Sequence, residues 1–219
     1  MQCDDVLRRR IVENLNNFTV RPASDARLRR AAVAITITDV GPGAALPGLE
    51  DSLEWSDEAA LILTRRSAHL RHHPGQWAFP GGRVDGDETL VATALREMHE
   101  EVDVALEEDR VLGVLDDFVT RSGFAMTPVI VWGGPHLQAS PNPDEVASIH
   151  RIPLREFLRA DAPRFMQTDT SEHPILRMPV GDDWIAAPTA ALIYQFREVC
   201  LQGQSTRVAH YEQPEFAWR

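Results

Sequence analysis

No lysine occurs anywhere in the 219 residues, so all 22 basic side chains are arginine. That absence excludes a lysine Schiff base and a lysine nucleophile. Cysteine is almost as scarce. Cys3 and Cys200 lie near opposite ends of the chain, which argues against a disulfide framework and fits a reducing cytoplasm. Two thiols also fall short of the ligand set of a zinc site. Nowhere do about 20 apolar residues follow one another, as a membrane helix requires. The opening MQCDDVLRRR has no apolar run of the kind a secretory leader carries. Positive charge is short as well: 33 acidic residues against 22 basic ones give a formal net charge of −11. General nucleic-acid binding needs a basic footprint, so the expected partner is a small molecule, with neither nucleic acid nor membrane. Serine is present, but no G-x-S-x-G elbow is, and Ser/His/Asp catalysis is set aside.

What is present suffices for a core. An apolar content of 43% over this length predicts one domain. Val6, Leu7, Ile11, Val12 and Leu15 recur at helical spacing within 4–17, and the β-branched run Ala31 to Val40 predicts a strand. Residues 41–57, with two prolines and three glycines, read as a loop. Glu58 to Arg65 reads as a buried strand. A helix is expected from about Glu88 to Val102, capped by Asp87, with Leu90, Ala94, Leu95, Met98 and Val102 as its apolar stripe. Strands are expected over 110–120, 127–132 and 145–152, the first two joined by a turn at Ser122-Gly123. A short helix should follow at 154–160, and another over 188–201, with Pro188 in its first turn. Strands, a central helix, more strands and a terminal helix fit an α/β (α+β) layered architecture.

Arg96-Glu97-Met98-His99-Glu100-Glu101 is the densest chemistry in the chain. On a helix, Glu97, Glu100 and Glu101 share a face. Carboxylates so spaced repel by roughly 0.2–0.5 kcal/mol per pair. A hard divalent cation, Mg²⁺ or Mn²⁺, would relieve them through oxygen ligation; a solvated acidic face is the alternative. Gly81 and Gly82 permit close backbone approach to an ion or phosphate, or form a tight turn. Arg65, Arg66 and Arg71 could bind phosphate bidentately or form ion pairs at a strand end. His69, His72, His73 and His99 match no zinc spacing. Trp77 and Phe79 are expected in the core.

The frame around the acidic cluster resembles the Nudix box, G-x5-E-x7-R-E-U-x-E-E-x-G-U with U aliphatic. Gly82, Glu88, Arg96, Glu97, Met98, Glu100, Glu101 and Val104 fall in register, and Asp103 replaces the last glycine. A left-handed helix exit tolerates Asp better than most residues. Upstream, Ile62-Leu63-Thr64-Arg65-Arg66-Ser67, Arg71, Gly75 and Phe79-Pro80-Gly81-Gly82 resemble the motif of the coenzyme A pyrophosphatase branch of that family. Pro141-Asn142-Pro143-Asp144-Glu145-Val146 resembles a later loop of the same branch. The segment Ile185-Ala186-Ala187-Pro188-Thr189-Ala190 departs from its I-W-G-x-T-A pattern in lacking the Trp and the Gly.

The resemblance implies the Nudix fold, an α/β/α sandwich around a mixed central sheet. It implies one Nudix hydrolase domain over 1–219, with an N-terminal helical extension (about 1–30) and a short C-terminal tail (about 203–219). The implied activity is metal-dependent cleavage of coenzyme A or acyl-coenzyme A to 4′-phosphopantetheine and adenosine 3′,5′-bisphosphate. The implied metal ligands are Glu97, Glu100 and Glu101, and Glu88 and Arg96 hold the motif together by an ion pair. Glu100, Glu101 or Glu145 is the candidate base, and Arg65, Arg66, Arg71, Gly81 and Gly82 are the candidate substrate contacts. The altered segment at 185–190 keeps ADP-ribose, NADH or a nucleoside triphosphate open as substrates. Asp103 keeps open a catalytically weak binding module, and family habit keeps open a homodimer.

Overall fold

A computed structural model of the chain describes residues 1–50, 52–168 and 171–214; position 51 of the expected loop and positions 215–219 of the expected tail lie outside them. The element order is α1 (Asp5–Asn16), β1 (Arg29–Asp39), β2 (Ala59–Arg66), β3 (Trp77–Ala78), β4 (Gly81–Arg83), α2 (Leu90–Val102), β5 (Val111–Val114), β6 (Phe118–Val119), β7 (Phe124–Gly134), β8 (Val146–Pro153), α3 (Leu154–Phe157), β9 (Arg164–Thr168), β10 (Ser171–Val180), β11 (Asp183–Ala186) and α4 (Thr189–Phe196). Beyond α4 the chain continues as a π-helical turn, Arg197–Leu201.

The central pairing is parallel, β1 against β7, from Arg29↔Phe124 to Thr38↔Gly134. The remaining pairs of this mixed eight-stranded sheet are antiparallel. Parallel strands are buried on both faces, and β1 shows how. Its small residues Ala32 and Ala34 meet Ala94, Met98 and Val102 of α2. Its larger Val33, Ile35 and Ile37 belong to the opposite layer, with Leu7 and Ile11 of α1, Leu192 and Phe196 of α4, and Leu176 of β10. Helices therefore cover both sides of a mixed sheet, the expected α/β/α sandwich.

Strand β1 also governs the site by splitting its second edge. Near its end it pairs with β2, Ile37↔Leu61, and near its start with β4, Val33↔Gly81. The fork between β2 and β4 puts Arg66, Gly81 and the face of α2 at one end of the sheet. Among the described residues no helix is long and apolar enough to cross a membrane.

Three expectations need correction. Helix α2 begins at Leu90, and Thr89, not Asp87, caps it, receiving the Ala92 amide at 3.0 Å. Glu88 is outside the helix because its carboxylate is held by Arg96. The strand expected over 110–120 is broken into a 3₁₀ turn, β5 and β6. Asp116 and Asp117 leave the ladder there to accept the amides of Arg21 at 2.7 Å and Ala23 at 2.9 Å. Strands β9, β10 and β11 form a three-stranded antiparallel sheet that the sequence did not signal. Pro174 and Pro179 within β10 speak against a strand, and Phe165 and Met166 of β9 are exposed.

Met98, fully buried beneath the acidic face of α2, anchors that helix to β1 and accepts the Thr36 hydroxyl. We expect Met98→Ala to cost about 2–5 kcal/mol by cavity creation, measured by urea unfolding. A loss under about 1 kcal/mol would show that the helix is held elsewhere.

Candidate active site

Arg96 is the hub of the motif. Its Nε donates to Glu88 Oε1 at 2.8 Å and its Nη2 to Glu88 Oε2 at 3.1 Å, a bidentate pair. Its Nη1 donates at 2.9 Å both to Glu97 Oε1 and to Glu100 Oε2, and Nη2 reaches the Arg83 carbonyl at 3.2 Å. One guanidinium thus ties the loop after β4 to successive turns of α2. These hydrogen bonds from Arg96 hold the Glu88 carboxyl down at about 2. Thr93, fully buried, adds a hydroxyl bond to Glu88 Oε2 at 3.0 Å.

The carboxylates beyond the hub are less well compensated. Glu101 is 3% exposed. Burial pushes its carboxyl up to about 8, Glu97 and Glu145 add repulsion, and Arg66 with the Gly81 amide at 3.4 Å offsets only part of this. Glu97 is raised in the same direction, first by burial and then, against Arg96, by Glu100 and Glu145. Glu145 arrives from the loop before β8. Asn142 in that loop donates its backbone amide to the Glu101 carbonyl at 2.9 Å and its side-chain amide to the Glu100 carbonyl at 3.3 Å. The Ser67 amide donates to the Glu145 carbonyl at 2.8 Å, so the end of β2 and the C-terminus of α2 both hold the loop.

Asp103 takes the left-handed conformation, φ 56° and ψ 36°, and its amide donates to the His99 carbonyl at 3.0 Å. The glycine replacement therefore preserves the helix exit and leaves the acidic turn in place. Gly82 is required by space: a Cβ there would run into the Glu97 carboxylate. Gly81 is required by β1, since a Cβ would overlap the Ala32 carbonyl and Val33.

The arginines separate. Arg66 stands by Glu101 and its Nε is buried with no hydrogen-bond partner among the described residues. Arg65 points to the other face of the sheet, paired with Asp183 and lying 3.9 Å over the Trp77 ring. Arg71 is exposed in the loop between β2 and β3. Trp77 and Phe79 are core residues at 7% and 4% exposure. His72 and His73 pair with each other at 6.4 Å between ring centroids, and His99 lies 3.8 Å from Asp103.

Two functional positions escaped sequence reasoning. Asn142 was visible as a turn residue in Pro-Asn-Pro-Asp, but its docking onto α2 was not. Asp183 lies 118 positions from Arg65, and no local signal joins them.

The donor set is oxygen-rich, acidic and partly buried, which suits a hard divalent cation better than zinc or copper. The carboxyl of Glu101 gives the sharpest indication, because ionising it where it is buried needs a countercharge. As placed, no three His, Cys, Asp or Glu side chains among the described residues stand close enough to hold an ion; Arg96 draws one oxygen each from Glu97 and Glu100.

Comparison with known proteins gives a consistent picture. The NUDIX domain family model matches residues 53–169. A protein of Enterobacter sp. (strain 638) described as uncharacterized Nudix hydrolase NudL is 38% identical over 149 residues, 67% of this chain and 76% of that protein. A protein of Pectobacterium atrosepticum with the same description is 41% identical over 138 residues, 62% of this chain and 72% of its own length. Among solved structures, a MutT/nudix family protein from Enterococcus faecalis superposes with a TM-score of 0.50 at 15% identity, covering 81% of this chain and 64% of that one.

Removing the hub should release Glu88. In Arg96→Met, NMR titration is expected to show the Glu88 carboxyl rising toward its ordinary value of about 4.3. An unchanged low value would mean that Thr93 and the Asp85 amide, not Arg96, hold it.

Proposed function

Because the chain belongs to the Nudix hydrolase family, and so acts on pyrophosphate bonds, we propose that it is a Mg²⁺- or Mn²⁺-dependent diphosphatase of coenzyme A or acyl-coenzyme A. The observation that carries the metal-dependent part is the buried carboxyl of Glu101, raised by its burial and by the fields of Glu97 and Glu145, beside a Glu97 that is raised in the same direction. The linked motif running from Ile62 to Gly82, which ends at that same cluster, supports the choice of substrate.

In this reading Glu97, Glu100 and Glu101 hold the ion, which when bound neutralises charge on the diphosphate and acidifies water. Glu145, on a different element and outside the Arg96 network, is the base. It takes a proton from the attacking water as the new phosphorus–oxygen bond forms. The bond from the attacked phosphorus to the bridging oxygen breaks, and the second phosphate leaves with that electron pair. Arg66, which acts on Glu101 and whose buried Nε has no hydrogen-bond partner among the described residues, pairs with phosphate oxygens. Gly81 and Gly82 keep β4 close enough for the substrate to reach the cluster, and Glu88 with Arg96 fixes the loop on α2. Arg65 is occupied by Asp183, and Arg71 is free to follow the outer part of the substrate. We further read the chain as one catalytic domain with a helical N-terminal extension, working in the cytoplasm, where its buried free thiols Cys3 and Cys200 stay reduced.

The test is a product assay on coenzyme A, ADP-ribose and NADH with Mg²⁺ or Mn²⁺. We expect release of adenosine 3′,5′-bisphosphate from coenzyme A, abolished by chelation. Cleavage of ADP-ribose or NADH alone would reassign the substrate. Glu100→Gln should lower turnover by at least about 100-fold, in the range typical of losing a catalytic carboxylate, with circular dichroism unchanged. Retention of the wild-type rate would refute the metal-site assignment.

A further inference from the structure

A chamber of about 150 Å³ opens beside Gly81 and Arg66, next to the carboxylate of Glu101 that both residues address. A diphosphate lying at the acidic cluster would therefore have one of its two arms at this mouth. The chamber's lining says which arm.

Charge is the first discriminator. Apart from Arg66 at the mouth, His73 is the only titratable side chain among the described residues lining the chamber, and burial and then Arg66 hold its imidazole below its ordinary value, which disfavours charge on the ring. A phosphate monoester inside would lose its hydration without a second cation to replace it, which is costly. Aromatic surface is the second. Trp77 and Phe79 line the chamber, but Phe79 is 4% exposed, and the Arg65 guanidinium lies 3.9 Å over the Trp77 ring while His150 packs edge-on against it at 4.8 Å, so little aromatic face is open to a nucleobase. What remains is an aliphatic wall of Val33, Met126 and Leu192 with hydroxyls and a carboxamide from Thr120, Ser122, Thr189 and Gln213. Aliphatic surface edged by uncharged hydrogen-bonding groups suits a chain of methylenes and amides. Across the partition formed by Trp77 and Pro188 lies a contrasting groove of about 260 Å³, which carries the Arg65–Asp183 pair and the indole of Trp184.

We infer that this chamber receives the uncharged, amide-bearing aliphatic arm attached to the diphosphate, which in coenzyme A is the pantetheine side, and leaves the nucleotide half outside. The inference rests on the diphosphatase reading above. Pro188 and Thr189 of the segment 185–190 line the chamber, Thr189 fixed by its bond to the Trp77 carbonyl at 3.0 Å, while Ala186 and Ala187, where that segment departs from the branch pattern, line the groove across the partition.

The experiment is product inhibition of coenzyme A cleavage in the wild type, Ser122→Trp and Met126→Ala. Ser122 is exposed at the rim, so the bulky replacement narrows the mouth without entering the core; Met126→Ala widens the wall. For Ser122→Trp we expect the Ki of 4′-phosphopantetheine to rise about tenfold, while that of adenosine 3′,5′-bisphosphate stays within about twofold. For Met126→Ala, kcat/KM for a bulky acyl-coenzyme A should rise relative to coenzyme A itself. A shift in the adenosine bisphosphate Ki instead, or no shift in either, overturns the chamber assignment while coenzyme A cleavage stands. A wild type that cleaves ADP-ribose but not coenzyme A overturns both readings.

Discussion

The Arg96 guanidinium is the interaction on which the site depends. Three glutamates within five positions of one helix would push the turn apart, yet Arg96 donates to Glu97 and Glu100 while its other edge grips Glu88. Arginine suits this task because its donors are fixed in a plane and its charge is permanent. The pairing also decides where the loop after β4 lies, and hence where Gly82 meets Glu97.

The sheet supplies the second constraint. Small residues on one face of β1 bring α2 close, and large ones on the other face pack the opposite helices. Because β1 changes partner from β4 to β2 along its length, the strands part where the acidic face of α2 emerges. The loop carrying Glu145 closes this end by binding the last carbonyls of α2 through Asn142. A helix C-terminus has unsatisfied carbonyls, so this docking serves helix stability and also places a carboxylate from a distant segment beside Glu97 and Glu101.

Periodic features were the legible ones. The stripe of Ala94, Met98 and Val102 and the acids beside it follow from 3.6-residue spacing, and Asp103 at the exit follows from the conformational tolerance of Asp. The alternation in β1 was less clear in advance because both of its faces are apolar, which periodicity alone cannot assign. Long-range pairings were not legible: Arg65 with Asp183, Asn142 with the end of α2, and Asp116 with the 20s segment each join residues whose local sequence says nothing of the partner. The small sheet β9–β11 was hidden for another reason. Its middle strand carries prolines, and its edge strand exposes Phe165 and Met166, so neither the composition nor the pattern of an ordinary half-buried strand was present.

The central claim is that the acidic face of α2 is a divalent cation site whose buried member is Glu101. The most direct measurement is electron paramagnetic resonance titration of Mn²⁺ into the wild type and Glu101→Gln, without substrate and with folding checked by thermal melting. We expect the wild type to bind Mn²⁺ and the variant, equally folded, to bind it at least about tenfold more weakly, the scale on which removing supporting interactions alters metal affinity. Equal affinity in the two proteins would contradict the claim and leave Glu97 and Glu100 as an acidic face organised by Arg96.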